Sequence, residues 1–531
     1  MLDLILQNAT ITDGTGKRRF KGAIGVQDGK IVQVGKVSTD QARQVLDCSG
    51  HVVAPGFIDL HCHSDLILLA EPGVPMKIRQ GCTTELLGQD GISVAPIRDE
   101  HKPIWRRQLA GLEGNPDIAW DWNTVADYLK AFEHRGTATN PVFTTPHGAL
   151  RAYVLGFAAR RASAKEIARM GELLRQSLHQ GAVGMSTGLI YTPCTYADRA
   201  ELVGLCQVLA EEKAFICIHL RSEGTTTVEA VEEILSVGQE TGCDVHLSHL
   251  KIAGRENWPK FEQFMQTIEN YRQAGVQVTF DQYPYIAGST ILGAVLPPWV
   301  HDGGAEKTLE RLADPKQRQQ MRQEIWERTK DREWENFLWF SGPEGLYVGS
   351  VATEKNQWMV GKNFRSIAQE RGVDPVDAIF DALLEERMGI SIVSFSQSEE
   401  IIEEIVRLPY GGFCTDGIIG ARPHPRLYGT FPRVLGEYVR KRRIISLEEA
   451  IRKMTSVAAQ RLGFSDEGQI AVGKRATFVV FDPKTIKDTA TFENPKQHPE
   501  GIDYVMVNGQ VVVDHGNQTN ALPGRVLRRE R

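Results

Sequence analysis

Two histidines, His61 and His63, stand two apart in GFIDLHCHSD, directly after an apolar run. Side chains alternate along extended chain, so this spacing turns both imidazoles to one side. Two neutral imidazoles on one side make half of a metal site. His219 ends AFICIHL and His249 ends DVHLSHL, each again closing an apolar run. His246 lies three residues before His249. On a straight strand these two face opposite ways, which leaves one of them to the core or solvent. Asp416 closes GGFCTDG. One such histidine is more often a hydrogen-bonded loop residue than a ligand. A series of them with a carboxylate, each at the end of its own strand, points to metal-assisted hydrolysis.

Elements of a definite kind must bring these residues together. Helical stretches such as AKEIARMGELLRQSLHQ, RAELVGLCQVLAEEK, TVEAVEEILSVGQETG and FEQFMQTIENYRQAG each lead into a short apolar strand. Repeated helix-then-strand order makes a parallel sheet. The number of units, with every polar cluster after its strand, favours a (β/α)8 barrel over an open sheet. Both chain ends are β-rich, with turn signals at QDGK and at the Asn-Gly of VNGQ. The ends are therefore expected to meet in one small β-sandwich, residues 1–56 with 465–531, around a barrel over 57–464. A charged helical stretch over about 287–350 interrupts the pattern. It reads as an insertion, either a peripheral decoration or a lid over the barrel mouth.

Bulk properties narrow the class. The chain has 531 residues, 41% hydrophobic and 24% charged, with a formal net charge of -6. That is an ordinary globular composition, with no basic excess to recruit nucleic acid or an anionic membrane. The basic end GRVLRRER is short and reads as a solvated tail. The eight cysteines are scattered without a CxxC pair, as expected of reduced thiols in a cytoplasmic enzyme. The N-terminus MLDLILQNATITDG has the form of a strand and turn rather than a signal peptide. No run reaches the ~18 apolar residues of a spanning helix.

The order of APGFIDLHCHSD, GMSTGLIYTP, IHLRSEG, HLSHLK, DQYPYIAGST, SFSQSEE, TDG, HPRLYGTFPRVLG and KMTSVAAQRLG along nearly the whole chain resembles the amidohydrolase superfamily, specifically the D-aminoacylases or N-acyl-D-amino-acid deacylases. The resemblance implies a (β/α)8 barrel, a small β-sandwich from both ends and a long insertion. It also implies hydrolysis of an N-acyl-D-amino acid with one or two Zn2+ ions. His61 and His63 then correspond to ligands of the more weakly held metal, and His219 and His249 to ligands of the tightly held zinc. Asp416 corresponds to the general base and Tyr191 to a residue that polarises the carbonyl. Lys251, Tyr283 and Ser289 correspond to a grip on the substrate's α-carboxylate, for which a cation and two hydroxyls are suitable chemistry. His147, Arg221 and Glu223 correspond to supporting positions behind the ligands. The partner implied is a small acylated amino acid, and no oligomeric state is implied. Two further readings compete: an amidohydrolase of a cyclic amide, dipeptide or other acylated amine, and a catalytically silent barrel that only binds.

This chain departs from the family at one ligand. The deacylases carry a cysteine in a GNCG-type turn, and here the turn is GQDG with Asp90 in that position. Cys82 begins the preceding strand, and at ~3.3 Å per residue of extended chain it lies far from the strand's end. The strand GMSTG also has no lysine for the carboxylated bridge found in related amidohydrolases. Asp90 is therefore expected to hold the metal as a carboxylate. That is a harder ligand, which opens the site to manganese, cobalt or iron. Asp90→Ala should lose bound metal, and Asp90→Cys should keep it with a stronger preference for zinc. Competition of Zn2+ against Mn2+, read by metal analysis, checks both; an Asp90→Ala protein that keeps its full metal content would remove Asp90 from the ligand set.

Overall fold

The computed structural model describes residues 1–38, 42–327, 334 and 337–529. Within the charged stretch expected over about 287–350, residues 328–333, 335 and 336 lie outside the described residues, as do the last two residues of the basic tail. Short strands, buried along almost their whole length, build the centre. They are Phe57–Asp59, Cys82–Leu87, Asn140–Phe143 with Thr145–Pro146, Gly184–Gly188, Phe215–His219, Asp244–Leu247 and Val278–Phe280. Burial on both faces explains why a strand such as Phe215–His219, FICIH, reads as a continuous apolar run rather than as an alternation. Neighbours pair in parallel throughout. The Val183 amide donates to the Phe143 carbonyl at 2.9 Å, which joins the first three strands to the rest.

The pairing then returns to where it began. On one side of residues 411–416, Gly412 N–H donates to Phe280 O at 2.8 Å and Cys414 N–H to Gln282 O at 3.1 Å. On the other side, Asp416 N–H donates to His61 O at 2.8 Å. Amphipathic helices cover the outside, among them Ala164–His179, Arg199–Glu211, Thr227–Thr241 and Phe261–Gln273. The first starts at a full capping box. Ser163 accepts from Glu166 N–H while the Glu166 carboxylate accepts from Ser163 N–H, which satisfies two donors a helix start otherwise leaves free.

The β-rich ends do meet. Five strands from the start, Leu2–Ile11, Phe20–Gln27, Lys30–Gly35, Ala42–Asp47 and Val52–Pro55, join four from the end in one nine-stranded sheet. The seam is Val52–Pro55 antiparallel to Phe478–Phe481. The excursion that begins at residue 287 runs past Ser350. Its strands Ala287–Ile291 and Leu346–Ser350 both pair antiparallel with Ser391–Phe395. The helices between pack a core of their own, including Leu309, Met321, Phe364, Phe380 and Ile392. Among the described residues, no helix is long and apolar enough to cross a membrane.

One buried charge network ties the first strand to the last. Lys77 and Asp59 are both fully buried and 2.7 Å apart. Lys77 Nζ also donates to Thr415 Oγ1 at 2.6 Å, and that hydroxyl donates to Asp59 at 2.6 Å. Thr415 N–H donates to the other Asp59 oxygen at 2.8 Å. Glu85 lies 3.7 Å from the same amine. Lys77→Met would leave two buried carboxylates without their cation, a change that costs about 3–5 kcal/mol. A urea titration should show that loss as a lower midpoint; an unchanged midpoint would mean the network is not holding the strands together.

Candidate metal centre

His61 and His63 follow Phe57–Asp59, and Cys62 between them turns away to face Glu85 and the Leu86 carbonyl. The alternation expected from the spacing is present. Asp90 comes from the turn after Cys82–Leu87, His219 ends Phe215–His219, His249 follows Asp244–Leu247, and Asp416 ends the closing segment. All six side chains are buried and converge. Asp90 Oδ1 lies 3.5 Å from His61 Nε2, 3.5 Å from His249 Nε2 and 3.8 Å from His219 Nδ1. Asp90 Oδ2 lies 3.6 Å from His63 Nε2. Its carboxylate thus stands between the two histidine pairs. Asp416 Oδ1 is 3.3 Å from His63 Nε2 and 3.7 Å from His61 Nε2.

Backbone geometry aims these groups. Asp90, His249 and Asp416 all take left-handed backbone, with φ of 55°, 36° and 45°. That conformation is uncommon outside glycine and is held only by surrounding structure. In GQDG the glycines on either side are also left-handed, at φ 78° and 69°. A Cβ on Gly91 would come within 2.7 Å of the Cys194 sulfur, and one on Gly88 would meet the Thr144 carbonyl. Ser186 braces the turn by accepting from Gly91 N–H at 3.0 Å and donating to Gly88 O. The strand without a bridging lysine therefore contributes a hydroxyl that holds Asp90's turn.

The donor set fits a divalent metal. Both nitrogens of His61 and of His63, with Asp90 Oδ1 and His219 Nε2, are buried without a hydrogen-bond partner among the described residues. Such a concentration of unsatisfied polar atoms is costly unless something binds them. Three sets, His61/His63/Asp416, His61/Asp90/His249 and His219/Glu223/His249, each have ligand atoms within 4.8 Å of one another. Imidazole and carboxylate suit zinc and neighbouring first-row ions. The charge balance agrees. Burial pulls the His63 imidazole down, but Asp416, Glu113 and Asp90 outweigh it and lift it to about 10. Burial likewise pulls down His249, and Lys251 with it, yet Glu223 and Asp90 lift it to about 9. His219 goes the other way, burial foremost lowering it to about 4.

The other expected residues divide. Tyr191 lies against the site, its ring edge-on to His219 at 5.1 Å and its hydroxyl 2.7 Å from Thr290 Oγ1. Glu223 faces both His219 and His249, at 3.5 Å from His219 Nε2 and 3.2 Å from His249 Nδ1. Lys251 is drawn into this group, donating to Glu223 at 2.5 Å and lying 2.8 Å from His249 Nδ1. Tyr283 accepts from Gln397 at 3.0 Å, and Ser289 is half-buried on strand Ala287–Ile291. Arg221 turns away to a two-pronged pair with Glu233 and to the Thr195 and Ala197 carbonyls. His147 belongs to a separate buried group with Thr187 and Glu201.

Sequence reasoning passed over Arg426 and Glu113. Arg426 is fully buried, its Nη1 2.9 Å from Asp416 Oδ2, its Nη2 donating to Ser289 O at 3.0 Å, and its guanidinium 4.3 Å from the centre of the Tyr283 ring. Its only sequence signal is a basic residue in HPRLYG, shortly after TDG. Glu113, the last residue of helix Lys102–Glu113, lies 3.6 Å from His63 Nδ1. Nothing in the helix pattern marks it.

The profile of the amidohydrolase family matches residues 44–325 and 340–513. An N-acyl-D-glutamate deacylase of Alcaligenes xylosoxydans xylosoxydans is 34% identical, across 100% of this chain and 97% of the relative. A D-aminoacylase of the same organism is also 34% identical, across 99% and 98%. The crystal structure of N-acyl-D-glutamate deacylase from Bordetella bronchiseptica, complexed with zinc and a phosphonate mimic of the tetrahedral intermediate, superposes with a TM-score of 0.84. It is 32% identical and covers 99% of each chain.

Burial would raise the Asp416 carboxyl, but Arg426 foremost, then His61, His63 and His249, hold it well below the usual carboxylate range. With Asp416 in the base role that the sequence resemblance implies, removing the guanidinium should move the acid limb of the kcat/KM profile to higher pH. Arg426→Met should show this shift, and Arg426→Lys a smaller one. An acid limb that stays in place in Arg426→Met would show that Arg426 does not set the charge of Asp416.

Proposed function

This chain belongs to the amidohydrolase family, and on that premise we propose that it hydrolyses the amide bond of N-acyl-D-amino acids to a carboxylate and a D-amino acid. The observation that carries the reading is the convergence of four buried imidazoles on Asp90, with Asp416 beside them and Arg426 behind it. His61, His63, His219 and His249 with Asp90 would hold one or two divalent ions, zinc among them. When bound, such an ion polarises the amide carbonyl and acidifies the attacking water.

Asp416 is the general base. Its Oδ1 faces the cluster and its Oδ2 is held by Arg426, so one oxygen is free to take the proton from water and pass it to the departing amine. Tyr191 has a hydroxyl that burial keeps protonated, which suits it to donate to the developing oxyanion. Glu223 faces the outer nitrogens of His219 and His249 and would fix the ring orientation of both. The substrate's α-carboxylate requires a cation. Lys251, paired with Glu223, and Arg426, paired with Asp416, both face Tyr283, so the reading places the grip on these two cations with Tyr283 and Ser289.

The surrounding architecture is read in the same frame. The ring of parallel pairing supports a (β/α)8 barrel over 57–464, and the shared end sheet supports a β-sandwich of residues 1–56 and 465–531. The excursion from residue 287 packs beside the barrel mouth through Ser289 and Thr290, as a lid over the site would. The buried, unpaired cysteines favour a reducing, cytoplasmic setting.

The test is a panel of N-acetyl-D-amino acids, N-acetyl-L-amino acids and cyclic amides with metal-loaded protein. Release of D-amino acids only is expected, and Asp416→Asn should slow it by about 10²–10⁴-fold with metal content unchanged. Turnover of cyclic amides instead, or none across the panel with metal bound, would sink the proposal.

A further inference from the structure

His246 faces away from the metal cluster, and the reading above leaves it without a task. It is nonetheless fully engaged. Its Nε2 lies 2.8 Å from Asp281 Oδ2, and its Nδ1 2.8 Å from Thr279 Oγ1. The three residues occupy adjacent strand ends, His246 in Asp244–Leu247, Thr279 in Val278–Phe280, and Asp281 immediately after it. All but Thr279 are buried to within a few percent. Asp281's second oxygen accepts the backbone N–H of His249 at 2.7 Å.

That bond falls on a demanding position. His249 has φ 36°, the lowest of the three left-handed residues in the cluster. In this conformation its amide leaves the ladder, since neither neighbouring strand offers it a carbonyl. Ser248 N–H still bonds to Ile218 O at 2.9 Å and Leu250 N–H to Asp281 O at 2.8 Å. The chain therefore kinks at a single residue, and one carboxylate caps the exposed amide. Asp416, by contrast, is held by an ordinary backbone bond to His61 O. The kink is what turns His249 Nε2 toward Asp90 and His219, at 3.5 and 2.9 Å.

We propose that Asp281, anchored by His246 and Thr279, is a positioning residue that clamps the backbone of His249 and so presents its imidazole to the metal. His246 Nε2–H donates to one carboxylate oxygen, the Thr279 hydroxyl donates to His246 Nδ1, and the other carboxylate oxygen receives the His249 amide. This is a ligand-orienting network that acts through the main chain rather than through the ligand's second ring nitrogen. It rests on His249 being a ligand, and it adds a role for the histidine that the strand geometry sets aside.

Metal titration of wild type, Asp281→Ala, Asp281→Asn and His246→Phe, with thermal melts and the absorption bands of the Co2+-loaded proteins, tests it. Loss of a ligand-orienting partner lowers metal affinity by about 10–100-fold. Asp281→Ala is expected to fall in that range with shifted Co2+ bands. Asp281→Asn keeps an oxygen for the His249 amide and should recover most of the affinity and the wild-type bands. Should Asp281→Ala fail to fold, His246→Phe decides, since it keeps a ring in place but removes Asp281's anchor; weaker Co2+ binding with altered bands is expected. Wild-type affinity and bands in Asp281→Ala or in His246→Phe would overturn the clamp. So would an Asp281→Asn that loses as much metal as Asp281→Ala at unchanged melting temperature. A wild-type protein that binds no Co2+ or Zn2+ would instead overturn the metal reading, and the clamp with it.

Discussion

The ion pair between Lys77 and Asp59 sets the relation on which the site depends. Asp59 ends the first central strand, and through Thr415 it grips the last. Two residues beyond Asp59 stands His61 and one residue beyond Thr415 stands Asp416, themselves joined by a backbone bond. Burying three charged side chains together costs heavily in desolvation, and the net stabilisation is small beside that cost. What the arrangement fixes is register. A slip of one residue between these segments would turn Asp416 away from His61 and His63, because side chains alternate. The network therefore defines which groups meet at the strand ends, and apolar packing could not define it so sharply.

A second constraint is local strain. Three of the six clustered side chains sit on left-handed backbone, at a cost on the order of 1–3 kcal/mol each. Each has a dedicated restraint nearby: Ser186 and the flanking glycines for Asp90, Asp281 for His249, the His61 carbonyl for Asp416. Strand ends alone would splay these groups along the strand directions. The kinks turn them inward to a common point.

Charge follows from that convergence. Asp90, Asp416, Glu223 and Glu113 crowd a volume with little solvent, and imidazoles, Arg426 and Lys251 stand against them. A divalent cation bound there would displace protons from the histidines and would leave the carboxylates ionised. Arg426 matters here because its charge does not depend on pH, and it keeps Asp416 ionised whatever occupies the histidines.

Much of this was legible in residue order. Polar residues closing apolar runs located His61, His63, His219, His249 and Asp416, since a parallel strand buried on both faces shows itself as an apolar run with its function at the end. The β-rich ends announced a shared sheet. The turn GQDG drew attention to Asp90 because a carboxylate stood where the family has a thiolate. Legibility failed where a role comes from distant chain. Glu113 ends an amphipathic helix, Arg426 follows a loop, and Asp281 looks like one more polar strand end. The excursion also runs further than its charged composition suggested, because its central strand, Ser391–Phe395, comes after the last of its helices.

By itself, then, the order of residues determined the element types, the family and the five groups whose strand-end position is a one-dimensional property. Tertiary structure alone decided which of them share a point in space, that Asp90 faces both histidine pairs, that Lys251 turns to Glu223, and that Arg426 stands behind Asp416. The reason is physical. Burial and periodicity are encoded over a few residues, while electrostatic and metal-ligand geometry depends on distances below about 4 Å between segments well over a hundred residues apart, such as Asp59 and Thr415 or Asp90 and His249.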